Sequence, residues 1–268
     1  MPLDVIELKT FYDTALGQTV RGLVSARLKE MIAGGSGGCA VGLGFTPPFL
    51  ETFGAGADRV LALMPARMGV CRWPVEGGNR AALVEEDELP LPDASVDRLL
   101  LIHGIEEAET PEAMVREIWR VLAPGGRLIA VVPNRRGLWA QADTTPFGNG
   151  RPYSRGQLER LLTAAKLAPT GWSEALFLPP LSLRAVVGSA RALEKIGRSI
   201  TPAFSGLILV EAEKRMWQAL PSDGRALRVP RLVPAMADPV SHFARRRRRV
   251  AAMTWPAMFD GDETRSRD

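Results

Sequence analysis

The chain has 268 residues, 46% of them hydrophobic and 24% charged, with a formal net charge of +4. At roughly 150 residues per domain this allows one α/β domain with additions, and the globular composition excludes both a large multidomain assembly and wholesale disorder. Much of the positive excess lies in Arg245 to Arg249, so the rest is near neutral, and two cysteines, Cys39 and Cys71, are too few for a metal knuckle.

No apolar run approaches the 18 or so residues of a membrane helix, and no charged-then-apolar leader opens the sequence, so a reduced, cytoplasmic setting is expected. From Leu8 to Ile32, Phe11, Leu16, Val20, Val24, Leu28 and Met31 recur at helical spacing. This predicts one amphipathic helix over residues 8–32 with weak points at Gly17 and Gly22. Cys39 to Leu43 reads as a strand entering Gly44, and Pro47 and Pro48 suit the first turn of the next helix. Apolar runs at residues 60–64, 81–84 and 97–102 predict three further strands, the last continuous enough to be buried on both faces.

Thr110-Pro111-Glu112 opens a helix that Pro124, Gly125 and Gly126 stop, and residues 128–132 predict the fifth strand. Ser154 and Gln157 form a capping box ahead of another helix. Strands at 175–178 and 207–211 close the pattern, with a helical insertion over about residues 179–206. Strands alternating with helices argue for a mostly parallel sheet covered on both faces. The predicted domain runs over residues 1–216, and residues 217–268 read as a largely irregular, basic tail.

Ligands of open α/β sheets bind beyond the carboxyl ends of the strands, so the residues there carry the functional reading. After the first strand stands Gly42-Leu43-Gly44-Phe45-Thr46, where Gly44 serves either the turn alone or a close approach of backbone to ligand. After the third strand come Glu85, Glu86 and Asp87, either ligand contacts or a solvated turn. His103 follows the fourth strand, placed either to take a proton or to fill the cleft rim. Arg135, Arg136 and Arg151 lie beyond the fifth, where they bind an anionic group or simply face solvent. A phosphate loop with lysine and a full dinucleotide glycine fingerprint are both missing, which weighs against other nucleotide-binding α/β proteins.

Two blocks are more specific: Glu88-Leu89-Pro90-Leu91-Pro92-Asp93-Ala94-Ser95-Val96-Asp97, and Arg120-Val121-Leu122-Ala123-Pro124-Gly125-Gly126-Arg127-Leu128. In order and spacing the chain resembles the class I S-adenosylmethionine-dependent methyltransferases of the small-molecule branch, from about Gly34 to Val132. The resemblance implies a Rossmann-like seven-stranded sheet with an antiparallel last hairpin, S-adenosyl-L-methionine as cofactor, and an unidentified methyl acceptor. It places Gly42, Gly44, Phe45, Leu63, Met64, Glu85, Glu86 and Asp87 at the cofactor, with His103 near the transferred methyl. The motifs are degenerate: Gly42 and Thr46 replace the family's usual Asp and second Gly, and Leu63-Met64 stands where a ribose-binding acid is usual. A methyltransferase-like binding or scaffold protein without catalysis is therefore the alternative. Arg245 to Arg249 suit an acidic partner, RNA or anionic lipid, or a solvated tail.

Overall fold

The computed structural model describes residues 3–32, 37–181, 190, 194 and 205–215. The first amphipathic stretch is two helices rather than one. α1 (Val5–Asp13) is capped by Asp4, whose side chain accepts from the amides of Ile6 and Glu7, and α2 (Ala15–Met31) is capped by Thr14, which accepts from Gly17 N. Thr14 adopts extended backbone between them. Apolar periodicity runs straight through this break, because both helices lay their apolar sides on the same core. Gly17 is what allows the corner: a Cβ there would lie 2.0 Å from the Phe11 carbonyl oxygen.

The sheet consists of β1 (Cys39–Gly44), β2 (Arg59–Pro65), β3 (Ala81–Val84), β4 (Val96–Ile102), β5 (Leu122–Pro133), β6 (Leu167–Ala175) and β7 (Leu207–Lys214). Their spatial order is β3-β2-β1-β4-β5-β7-β6, with β7 antiparallel to both neighbours and the pairs among β1 to β5 parallel. The predicted seven-stranded, mostly parallel sheet is thus present. Successive side chains of the central strands go to opposite faces. Ala40, Met64, Leu100, Ile102 and Leu209 pack with α1, α2 and α3 (Pro47–Phe53), whereas Val41, Leu43, Leu63, Leu101 and Val210 pack with α4 (Pro111–Val121) and α5 (Arg155–Ala164). Both faces are buried, which is why these strands read as continuous apolar runs.

Two strands depart from the sequence expectation. β5 begins six residues earlier, at Leu122, because Pro124-Gly125-Gly126 forms an irregularity inside the pairing with β4, where Val96 opposite Leu122 gives way to Arg98 opposite Arg127. Gly125 sits at φ +75°, and a Cβ on Gly126 would come within 3.0 Å of the Val96 carbonyl oxygen. β6 ends at Ala175 rather than starting there. It lies at the sheet edge, half-exposed along most of its length, so polar residues are tolerated and the apolar Leu176 to Leu178 is a buried loop instead. The capping box of Ser154 and Gln157 forms as expected.

The two conspicuous sequence blocks hold each other in place. Arg120 on α4 donates to the carbonyls of Leu89 and Leu91 and pairs with Asp93 and Glu117, while Glu117 accepts from Leu89 N. Asp97 accepts from Cys39 N at 2.7 Å, fastening the start of β1 to β4. The described residues belong to one unit, Met1–Ala219. Most of the insertion predicted over 179–206, and the whole tail over 217–268 with Arg245 to Arg249, lie outside the described residues. Among the described residues no helix is long and apolar enough to cross a membrane.

Candidate active site at the carboxyl ends of the strands

β1 and β4 lie side by side, with Gly44 opposite Ile102, so the turn after β1 and His103 meet at the centre of the sheet. Gly44 has φ +88°, and a Cβ on it would lie 2.2 Å from the Ile102 carbonyl oxygen. The close approach that Gly44 permits is therefore to the β4 backbone. Gly42 is similar: the space a Cβ would need is filled by Thr46 and Leu50. Thr46 is fully buried, and its hydroxyl has no hydrogen-bond partner among the described residues.

His103, at φ +52°, is fully buried. Its Nε2 lies 2.8 Å from the Tyr12 hydroxyl, and its Nδ1 lies 3.6 Å from Oε1 of the equally buried Glu106. Burial lowers the imidazole pKa to about 3 and raises that of Glu106 to about 8. It also pushes the Tyr12 phenol up. All three are neutral at pH 7, because no solvent is available to stabilise the charged forms. Tyr12 therefore keeps its proton and donates it to Nε2, which leaves the imidazole proton on Nδ1, facing Glu106. Around them stands an aromatic box: Tyr12 stacks on Phe45 at 5.8 Å and meets Phe49 edge-on, and Phe147 lies 4.7 Å from the imidazole.

At the end of β2, Leu63 points into the core on the α4 side of the sheet. Met64 is buried on the opposite face, its sulfur 3.5 Å from the Cys71 amide. Neither offers an acceptor to a ribose. Beyond β3, Glu85 and Asp87 face solvent, whereas Glu86 is buried, accepts from Glu109 N at 3.2 Å and lies 3.4 Å from Arg67. Burial raises the Glu86 pKa against the opposing pull of Arg67. The crevice between Leu3, Pro65, Glu86, His103 and Glu107 is too narrow to hold a water molecule.

Of the residues singled out from the sequence, the fold brings Gly44, Phe45 and His103 together, with Glu86 on the adjoining cleft. Leu63, Glu85 and Asp87 are directed elsewhere. Sequence reasoning missed Tyr12, which reaches the site from a helix 91 residues away. The aromatic box itself, spread over residues 12–147, has no local signature.

Several orphaned buried polar atoms lie here: Thr46 Oγ1, His103 Nδ1 and both Glu106 oxygens. Such atoms are costly without partners and suit a polar ligand entering over the strand ends. On this ground the donor and acceptor chemistry present fits a polar, nucleoside-bearing group, while Met64 offers it no ribose acceptor. Among the described residues no cluster of His, Cys, Asp and Glu is arranged to hold a metal.

A methyltransferase domain model matches residues 52–130. The chain is 27% identical over 164 residues to a demethylmenaquinone methyltransferase of Thermus thermophilus, covering 59% of this chain and 71% of that protein. It is 41% identical over 63 residues to a ubiquinone/menaquinone biosynthesis C-methyltransferase of Rubrivivax gelatinosus, a match that spans only 24% of this chain and 24% of that relative. Among solved structures, the complex of the Haloferax volcanii Trm112 activator with a methyltransferase superposes at a TM-score of 0.54, with 16% identity over 72% of this chain and 89% of that one. Its likeness speaks for the fold alone. In strand order with a reversed β7, in the two sequence blocks and in the domain match over residues 52–130, this chain is similar to the class I S-adenosylmethionine-dependent methyltransferases.

Proposed function

We propose that the protein transfers a methyl group from S-adenosylmethionine to a hydroxyl-bearing aromatic small molecule, with His103 as the group that receives the hydroxyl proton. The observation that carries this reading is the Tyr12 phenol, an aromatic hydroxyl seated 2.8 Å from His103 Nε2 and stacked on Phe45. The site already accommodates the chemistry of such an acceptor, supplied by its own chain. The name of the Thermus relative, a quinone-type methyltransferase, supports an acceptor of this class. The cofactor, when bound, supplies an activated methyl, so the chain's own residues chiefly align the acceptor and exclude water. The aromatic box does both.

In this reading α1 moves aside and the acceptor ring takes the place of Tyr12. Its hydroxyl then donates to Nε2, and the displaced seal lets the imidazole pKa rise from about 3 toward its ordinary 6.5. Glu106 faces the opposite ring nitrogen, and the same loss of burial lowers its pKa from about 8, so that it ionises and stabilises the imidazolium that forms. Gly42, Gly44, Phe45, Met64 and Glu86 border the cofactor. The exposed Glu85 and Asp87, and Leu63 in the core, remain peripheral to it. The cytoplasm as location, and an acidic partner such as RNA or anionic lipid for Arg245 to Arg249, belong to this proposal as well.

The test is a calorimetric titration with S-adenosylmethionine followed by methyl-transfer assays on substituted hydroquinones. His103→Asn is expected to lower kcat by about 100-fold or more while leaving cofactor affinity within about threefold. If the cofactor binds but no hydroxyaromatic is methylated, the acceptor class is wrong. If millimolar cofactor gives no heat, the non-catalytic alternative stands, for which the apolar Met64 in place of an acid is the supporting observation.

A further inference from the structure

Arg136, one of the arginines beyond β5 that the methyl-transfer site does not use, lines a separate cavity of about 370 Å³. The cavity lies between the segment after β5, the first turn of α5 and the edge of the sheet, to which β7 contributes Ile208 and β6 contributes Glu174. Its charged groups are Arg136, Arg155 and Glu174. Arg136 and Arg155 are exposed and Glu174 is half-buried, so a ligand in the cavity can reach all three.

The fold uses none of these charges. Among the described residues, the side chains of Arg136, Arg155 and Glu174 make no ion pair and no hydrogen bond. A parallel bridge between Asn134 and Tyr153, in which Arg135 N donates to the Tyr153 carbonyl, sets the two arginines on neighbouring segments. Arg155 is also fixed from one face, its guanidinium 4.5 Å from the centre of the Trp172 ring. A guanidinium stacked on an aromatic face keeps its in-plane N–H donors free. Glu174 is two residues beyond Trp172 on β6, so both stand on the same face of the sheet. β7 separates β6 from β5, which puts Glu174 about 10 Å across the strands from the β5 side of the cavity.

We propose that this cavity binds a small zwitterion, a carboxylate and an amine joined by a short apolar chain, with the carboxylate between Arg136 and Arg155 and the ammonium on Glu174. Two cations on neighbouring segments attract an anion, and the guanidinium edge suits a planar carboxylate through parallel hydrogen bonds. A plain anion is repelled by Glu174, whereas a zwitterion gives each of the three groups an opposite charge. The separation of Glu174 from the β5 side suits charges several methylenes apart rather than on one carbon, and Ile208 gives the connecting chain an apolar contact. The site is independent of the methyl-transfer reading, since its lining includes neither Tyr12, His103 and Glu106 nor any residue of the aromatic box.

The probe is δ-aminovalerate, titrated into the full-length protein and followed by amide and indole chemical shifts, with valerate and pentylamine in parallel. δ-Aminovalerate is expected to bind about threefold or more tightly than either, the discrimination that one accessible ion pair supports. Glu174→Gln should abolish the preference over valerate, by weakening the zwitterion and tightening the plain anion, and Arg155→Gln should weaken both. Shifts in the unaltered protein give a readout that does not depend on a variant folding. δ-Aminovalerate should move the Gly156 amide and the Trp172 indole and leave Gly44 and Gly104 in place. Valerate binding as tightly as δ-aminovalerate, an unchanged preference in Glu174→Gln, undiminished binding by Arg155→Gln, shifts confined to Gly44 and Gly104, or no shift at millimolar δ-aminovalerate would each overturn the proposal.

Discussion

Glu106 and His103 illustrate how a single residue's burial decides its chemistry. A carboxyl whose pKa rises from 4.5 to about 8 on folding binds a proton in the folded state that the unfolded state lacks between those values. Its contribution to stability is therefore present below pH 4.5 and is lost as pH rises toward 8. His103, lowered from 6.5 to about 3, acts oppositely: its contribution is present above pH 6.5 and is lost as pH falls toward 3. The two slopes cancel between pH 4.5 and 6.5, which predicts a stability plateau there. Glu106→Gln should remove the alkaline decline, so the variant's melting temperature should gain on the parent's from pH 5 to pH 8, with roughly 5 kcal/mol as the upper bound. A constant difference across that range would mean Glu106 is already ionised. Gly44→Ala is expected to cost more than about 2 kcal/mol in thermal melts, because a Cβ would meet the Ile102 carbonyl at 2.2 Å and φ is +88°. Met64→Asp should also destabilise the ligand-free protein, by about 3 kcal/mol, since the side chain is buried in the apolar cluster on that face of the sheet.

At the level of elements, the contact between α4 and the loop before β4 carries more of the fold than its partly exposed position suggests. Arg120 joins Leu89, Leu91, Asp93 and Glu117 in one network. Arg120→Ala leaves the Leu89 and Leu91 carbonyls and the Glu117 carboxylate short of partners, and should cost about 2 kcal/mol in denaturant titrations. Arg120 holds Glu117 below the usual carboxylate range, so this stabilisation is present at neutral pH and is lost as pH falls through the lowered value. In the variant the acid limb of the stability profile should flatten. The family-like blocks were legible in the sequence because they are local in spacing, yet their visible duty is to join α4 to the sheet. The split of the first helix at Thr14 was not legible, because a capping Thr and a tolerated Gly17 leave the apolar period intact. β6 was displaced for a related reason: an edge strand needs no apolar run, whereas the buried loop after it has one.

For the whole molecule, the described core clusters draw on residues from Leu3 to Ala212. The sequence blocks and the periodic apolar positions all precede residue 245, so removing residues 245–268 is expected to leave the melting temperature and cofactor affinity unchanged. It should also flatten any salt dependence of RNA binding by about 0.7 to 0.9 for each phosphate that the arginines no longer neutralise. A fall in melting temperature on truncation would show that the tail contributes to the folded unit. The order of strands and helices, the parallel sheet, the capping box and the position of His103 at a strand end were determined by sequence alone. Each depends on periodicity, caps or turn chemistry within a dozen residues. Only the tertiary structure decided that Tyr12 would reach His103, that Gly42 and Gly44 would be filled against Thr46 and Ile102, and that Arg136, Arg155 and Glu174 would meet at one cavity. Those pairings join residues far apart along the chain or set by burial, and their energies come from exclusion of water, which sequence spacing does not encode.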